Sequence, residues 1–385
     1  MWTSAYRRAL VVDFFIFGGA HALLPIIPLY VYSIEASDIK VGIVAGVFMG
    51  VAVVLRPFTG WFVDVSGRKP ILIFSVIIFS LAGLGLPLWP AIIPIILFRA
   101  LQGLAWSAVV TASTTLQADV IPAARRGEGM GYVSSIRNLS TAIAPAAALF
   151  IASQMNITNA IWFIVIITII GATTVFLVSE TYVKPTTFPS FRWTRLIEKS
   201  AIAPALVAAA MMFVFGGFVT FIPLDAQRRN IGDPAVFFIV FSLVLMIVRP
   251  LAGRWSDLIS SRGIIIVPGL LLILGSVSVI AIFETQWTLV FVAILWGAGF
   301  GCVQPIIRTL VIERVSPDRW GAGNATMLTL MDLGLALGPP ILGYVATNWG
   351  YAVMYALSSL PILLCVATMI LGIFKPWKLE KLSRP

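Results

Sequence analysis

Histidine and cysteine are nearly missing from this chain of 385 residues: His21 is the single histidine, and Cys302 and Cys365 are the two cysteines. Both cysteines sit inside apolar runs, which leaves neither a disulfide framework nor a paired-cysteine metal site. No Gly-x-x-x-x-Gly-Lys-[Ser/Thr] loop occurs, so nothing points to ATP as an energy source. No His-Glu-x-x-His motif occurs, and no nucleophile stands beside a base, so an intramembrane enzyme lacks its constellation. No metal ligand set and no cofactor motif is found. Charge is also scarce, at 11% of residues, against about 25% in soluble domains. What fills the space is apolar: 59% of residues, with a mean hydropathy of +1.01. Water cannot be the solvent for such a surface. A cytosolic enzyme, a nucleic-acid binder and a secreted disulfide domain are excluded, and the lipid bilayer is the implied partner.

A helix needs about 20 apolar residues to cross a hydrocarbon core of about 30 Å. Lipid offers no partner to unpaired backbone groups, and the alternation of barrel strands is absent, so the spans are helices. Twelve are predicted, starting near Ala9, Val41, Pro70, Ala91, Gly129, Asn159, Ala201, Ala235, Ile264, Trp287, Gly323 and Tyr351. The first of these follows Arg7 and Arg8, as a signal peptide would. It runs to Tyr32, carries Asp13 and lacks a small-residue cleavage site, so it reads as a retained span.

Lys and Arg set the expected orientation. With the N-terminus inside, the inner segments hold eighteen basic residues, among them Arg68, Lys69, Arg125, Arg126, Lys184, Arg192, Arg195, Arg254, Arg314 and Lys375. The outer ones hold three, Lys40, Arg228 and Arg229. This positive-inside bias places both termini in the cytoplasm of a plasma-membrane protein. It also accounts for the net charge of +10 without a nucleic-acid partner.

The longest polar stretch, Glu180–Ser200, separates six spans from six. Its tail, Phe191–Lys199, suits a short interfacial helix. The two sides resemble each other. Arg56-Pro57-x-x-Gly60-x-x-x-Asp64 recurs as Arg249-Pro250-x-x-Gly253-x-x-x-Asp257. Phe15-x-Phe17-Gly18-Gly19 recurs as Phe213-x-Phe215-Gly216-Gly217, and Pro145 matches Pro339. All three offsets are close to half the chain. A duplication at this period predicts two six-helix bundles of like orientation, 1–179 and 201–385, joined by 180–200. Such bundles can rock around a site near the bilayer midplane.

Between spans two and three stands Gly60-Trp61-Phe62-Val63-Asp64-Val65-Ser66-Gly67-Arg68-Lys69. Gly60 permits close helix approach, Gly67 a tight turn, and Asp64 can pair with Arg68 or Lys69. With twelve spans and the half-chain repeat, this loop resembles the signature of the major facilitator superfamily. The resemblance covers the whole chain and implies secondary transport by alternating access, with the loop gating the cytoplasmic side against Gly321-Ala322-Gly323-Asn324-Ala325 of span eleven. The second copy keeps Gly253 and Asp257 but ends in Ser261-Arg262-Gly263. Arg99-x-x-Gln102-Gly103 in span four is similar to a pattern of the superfamily's proton-coupled exporters. Arg99, Gln102 and Trp106 fall on one helix face, with Arg99 roughly 12 Å deep. Span five has Ala144-Pro145 without the glycines that antiporters of the superfamily carry there. Span eleven instead reads Gly334-x-x-x-Gly338-Pro339.

Charges within the spans are costly and mark candidate sites. Asp13 is the candidate proton carrier, with Arg99 or Arg137 as its counter-charge. A static Asp13–Arg137 pair locking spans one and five is the equal alternative. His21, about two turns outward, is a relay candidate or a plain polar lining group. Asp332 and Arg308 are candidates for a pair in the second bundle and, with Arg99, Gln102 and Trp106, for the substrate cavity. Arg56 and Arg249 read as structural parts of the gate, and Asp225 as wetted at the outer mouth. The interior balance is mildly positive and suits a neutral or anionic substrate. The leading expectation is a monomeric, proton-coupled exporter of small organic molecules. A symporter or facilitator importing a sugar or organic acid is the alternative, and a receptor or scaffold without transport is the rival from another class.

Overall fold

The computed structural model describes residues 2–122, 125–178, 197–258, 263–285, 287–316 and 319–371. The side chains of Asp64, 126–127, 256–258, Gly321 and Thr368 are outside that description. So is most of the polar stretch, including Lys184, Arg192 and Arg195, along with Arg262 and Lys375. The expected interfacial helix over 191–199 therefore falls largely outside the described residues. Within them, Ile197 and Glu198 are not helical and α7 begins at Lys199.

Every regular element among the described residues is an α-helix. In order they are α1 Ser4–Glu35, α2 Asp38–Ser66, α3 Arg68–Leu88, α4 Ile92–Val120, α5 Arg126–Gln154, α6 Ile157–Val175, α7 Lys199–Arg229, α8 Pro234–Leu258, α9 Gly263–Ile282, α10 Thr288–Arg314, α11 Trp320–Ser358 and α12 Leu360–Ile370. Among the described residues, eleven stretches are long and apolar enough to cross a membrane, and the last, Ala322–Ala367, has 46 residues. That is twice what one span requires. Gly350, at φ 81° and ψ 171°, breaks α11, so a twelfth span begins at Tyr351. Ser359 keeps helical angles, and the twelfth span runs on through α12.

The helices start a few residues before the apolar runs because polar groups cap or extend them. The Thr3 side chain accepts from Tyr6 N, Ser37 from Lys40 N and Asn156 from Asn159 N, each satisfying a backbone donor that the first turn leaves unpaired. Gly67, at φ 93°, is the only residue between α2 and α3, a joint that a side chain would strain. Proline stands inside α1, α2, α3, α5, α7, α8, α9, α10 and α11, which membrane helices tolerate because neighbours re-satisfy the freed carbonyls.

The chain forms two compact units, Met1–Phe191 and Arg192–Pro385. In the first, α1 packs on α5 and α6, α4 on α2 and α3, and α3 on α6. In the second, α7 packs on α11 and α12, α10 on α8 and α9, and α9 on α12. Adding six to each helix number converts the first set into the second, which is the duplication expressed as packing. Large buried side chains centre each unit: Phe48, Phe79 and Ile16 in one, Trp296, Phe218 and Phe237 in the other. Apolar side chains such as Val54, Phe74, Ile93 and Ile282 remain about two-thirds exposed, as lipid-facing positions should.

Candidate transport site and charge clusters

The strongest polar cluster of the first unit joins three helices. Asp13 on α1 is 1% exposed. Its Oδ2 accepts from Arg137 Nε on α5 at 2.5 Å, and its Oδ1 accepts from Ser113 Oγ on α4. The rest of the guanidinium is held by α4: Nη2 reaches Ser113 Oγ at 3.1 Å and both Thr114 Oγ1 and Gln117 Oε1 at 3.3 Å. The Phe17 ring lies 4.1 Å from Arg137 Cζ. On α4, Gln117 shares a face with both Ser113 and Thr114, which lie four and three residues before it. A buried charge pair needs such surrounding donors and acceptors to offset its desolvation.

Arg99 belongs to a different layer. It lies fourteen residues before Ser113 on α4, about 21 Å along the axis. It is 2% exposed, and among the described residues it meets no acid. Its Nη1 donates to Gln102 Oε1 at 2.8 Å, and its Cζ sits 4.0 Å from the centre of the Phe48 ring on α2. Arg99 Nε and Gln102 Nε2 are buried without a hydrogen-bond partner. Trp106, the next residue on this face, gathers the rings of Phe17, His21, Phe48 and Phe79. The His21 Nδ1 lies 2.8 Å from its own helix carbonyl at Phe17.

The second unit is built differently. Arg249 on α8 donates through Nη2 to Gln304 Oε1 on α10 at 2.8 Å. Arg308, one turn beyond Gln304, is exposed, and Asp332 on α11 is half-buried; no described contact joins these two. A larger cluster forms at the far end of α7. Asp225 is 1% exposed and paired through both oxygens with Arg229. Its Oδ2 also accepts from Tyr355 Oη at 3.0 Å, and Arg229 reaches the Ile280 carbonyl at 3.1 Å and Glu284 at 3.7 Å. The sequence expectation of a wetted Asp225 is thus corrected. Arg229, one turn on, and the tyrosine hydroxyl satisfy the carboxylate inside the protein.

At the α2–α3 joint, Arg68 pairs through Nε with Asp119 of α4 at 2.9 Å, and Lys69 Nζ donates to the Phe176 carbonyl at 3.1 Å. The Asp64 and Asp257 side chains lie outside the described residues. A Cβ at Gly60 or Gly253 would meet nothing within 4 Å among them.

The sequence profile of the Major Facilitator Superfamily matches residues 9–278 and 233–384. The chain belongs to the Major Facilitator Superfamily. It is therefore a multi-pass membrane transporter and not an enzyme. It is similar to the quinolone resistance protein NorA of Staphylococcus aureus strain MRSA252, with 22% identity over 86% of this chain and 87% of that one. It is also similar to the staphylopine export protein of S. aureus strain Mu50, with 25% identity over 97% and 96% of the two chains. Among solved structures, the peptide transporter POT in complex with sulfate shares the fold, with a TM-score of 0.77 over 97% of this chain and 96% of that one at 13% identity.

Of the residues read from the sequence, the fold of this superfamily member brings Asp13 together with Arg137, and Arg99 with Gln102, beside Trp106 and His21. Arg99 itself lies about 21 Å along α4 from the Asp13–Arg137 pair, and Phe17, which meets both Arg137 and Trp106, stands between the two groups. Sequence reasoning missed Ser113, Thr114, Gln117, Phe48 and Tyr355. The glycines of span eleven serve packing: a Cβ at Gly334 or Gly338 would overlap the carbonyls of Ala209 and Phe213 on α7. Gly18 of α1 faces Ala144 and Ser140 of α5, as its repeat partner Gly216 of α7 faces Leu335 and Pro339 of α11.

Proposed function

We propose that the chain is a proton-coupled exporter of small organic molecules, working by alternating access. The observation that carries this reading is the buried Asp13–Arg137 pair with Ser113 as third partner. A proton taken by Asp13 removes the charge that holds Arg137, so protonation and the α1–α5 contact are linked. One charge moving down 100 mV supplies about 2.3 kcal/mol, near fiftyfold accumulation. Export as the direction is supported by two relatives, a quinolone resistance protein and a staphylopine export protein. In this reading bundles 1–179 and 201–385, joined by 180–200, are the moving parts of a plasma-membrane monomer with both termini cytoplasmic. Arg99, Gln102, Trp106, Arg308 and Asp332 are its candidate substrate-cavity residues. The test is uptake of a panel of drugs and organic acids into inside-out vesicles, with and without an imposed pH gradient. Export is supported by accumulation that collapses when the gradient is discharged. Accumulation only in right-side-out vesicles would make the chain an importer.

A further inference from the structure

We propose that the cleft between the first turns of α1 and the C-terminal end of α6 binds the phosphate headgroup of an anionic phospholipid. The cleft has a volume of about 310 Å³ and is lined by Ser4, Arg7, Arg8, Val11, Thr174 and Leu177. That is at the small end of ligand pockets, which run about 300–1,000 Å³. Two of the six lining residues are arginines, and none is an acid.

The two arginines are not used alike. Arg8 spends Nη1 on the Leu177 carbonyl at 2.9 Å, which closes the frayed end of α6 and fixes the side chain over the cleft. Arg7 is exposed, and its guanidinium has no partner among the described residues. Lys69, reaching the neighbouring Phe176 carbonyl at 3.1 Å, adds a third positive charge beside the cleft. A planar guanidinium with free N–H groups is suited to phosphate oxygens.

The position along the membrane normal fits a headgroup. At 1.5 Å per residue, the 32 residues of α1 extend about 48 Å, well beyond a hydrocarbon core of about 30 Å. Its first turns therefore lie among the headgroups. Trp2 marks the same level: it is 52% exposed and meets Tyr6 in a tilted contact at 5.7 Å and Tyr132 edge-on at 4.9 Å, the amphipathic belt residues of a membrane interface. One turn deeper on α1 the cleft turns apolar at Val11, and Leu177, whose carbonyl holds Arg8, borders it; they are 44% and 58% exposed. A free phosphate ion has no use for these two side chains. A lipid, whose acyl chains run from the phosphate toward the hydrocarbon, covers both.

The test is lipid titration of the purified full-length protein in detergent, followed by native mass spectrometry, using phosphatidylglycerol and phosphatidylcholine of identical chains. The wild type should retain phosphatidylglycerol with about tenfold preference, reduced to about twofold or less in Arg7→Gln/Arg8→Gln. Thr174→Trp, which fills the cleft and leaves both arginines, should weaken phosphatidylglycerol binding about fivefold or more. Equal retention of the two lipids by the wild type overturns the proposal, as does unchanged preference in Thr174→Trp. Displacement of the lipid by millimolar inorganic phosphate also overturns it, making the cleft a free-anion site. If the double variant yields no folded protein, Thr174→Trp decides alone.

Discussion

Arg137 holds Asp13 from one side while Ser113 holds it from the other, so a single carboxylate ties α5 and α4 to α1. Neither tie is made by neighbours in sequence. Ser113 is 100 residues and Arg137 124 residues from Asp13. Removing one partner of such a pair leaves a buried charge uncompensated, at a cost of about 3–5 kcal/mol.

Asp13→Asn should therefore abolish the response of transport to a pH gradient while a downhill flux remains. Arg137→Gln alone should lower the yield of folded protein, and the double variant should recover yield without recovering coupling. Fluorescence-detected gel filtration and vesicle transport measure the two quantities. A gradient response surviving in Asp13→Asn removes Asp13 as the coupling acid.

The stacking of Arg99 on Phe48 should appear as a coupling energy of about 1–2 kcal/mol in a double-variant cycle of Arg99→Lys and Phe48→Leu, read from thermal unfolding. Lysine keeps the charge and loses the flat guanidinium. Strict additivity of the two changes would show that the ring does not bear on the arginine.

Tyr355→Phe removes one hydrogen bond to the buried Asp225 carboxylate. The expected loss is about 1.5–3 kcal/mol of stability, seen as a lowered unfolding midpoint. Asp225→Asn should lose more, because it leaves Arg229 without its bidentate partner. If Tyr355→Phe unfolds with the wild type, the carboxylate is satisfied without it.

Gly338→Val should greatly reduce folded protein, since the side chain would enter the backbone of α7 at Phe213. Gly60→Ala should leave the midpoint unchanged, because the added methyl meets open space among the described residues. Equal damage from both would contradict the tight α7–α11 seam.

Asp64→Asn should slow turnover at least several-fold with the amount of protein preserved, if the loop gates transport. Vesicle flux normalised to protein amount decides this, and unchanged turnover removes the gate assignment.

Much of the architecture was legible because hydrocarbon thickness imposes a length on every span and the half-chain repeat imposes a partner on every motif. Predicted starts such as Val41, Gly129 and Ile264 fall within three residues of the observed helices. The split at Tyr351 was legible too, and Gly350, with non-helical angles, marks the kink where one helix ends and the next begins. Spacings within one helix were also readable: Arg99 with Gln102 is three residues, and Asp225 with Arg229 is four. What the sequence did not disclose was the rotation of one helix against another. That rotation decides that Asp13 meets Arg137 and not Arg99, that Phe48 lies under Arg99, and that Tyr355 reaches Asp225 across 130 residues. The charge count at the far end of α7 suggested water, whereas a tyrosine from a distant helix supplies the missing donor.

Gly67 and Gly350 carry nearly the same backbone angles, 93°/161° and 81°/171°, and each stands alone between two spans. There is no slack at either joint for a protease to grip or an epitope tag to occupy. Lengthening either joint by even a few residues would free two spans that the chain now holds directly end to end.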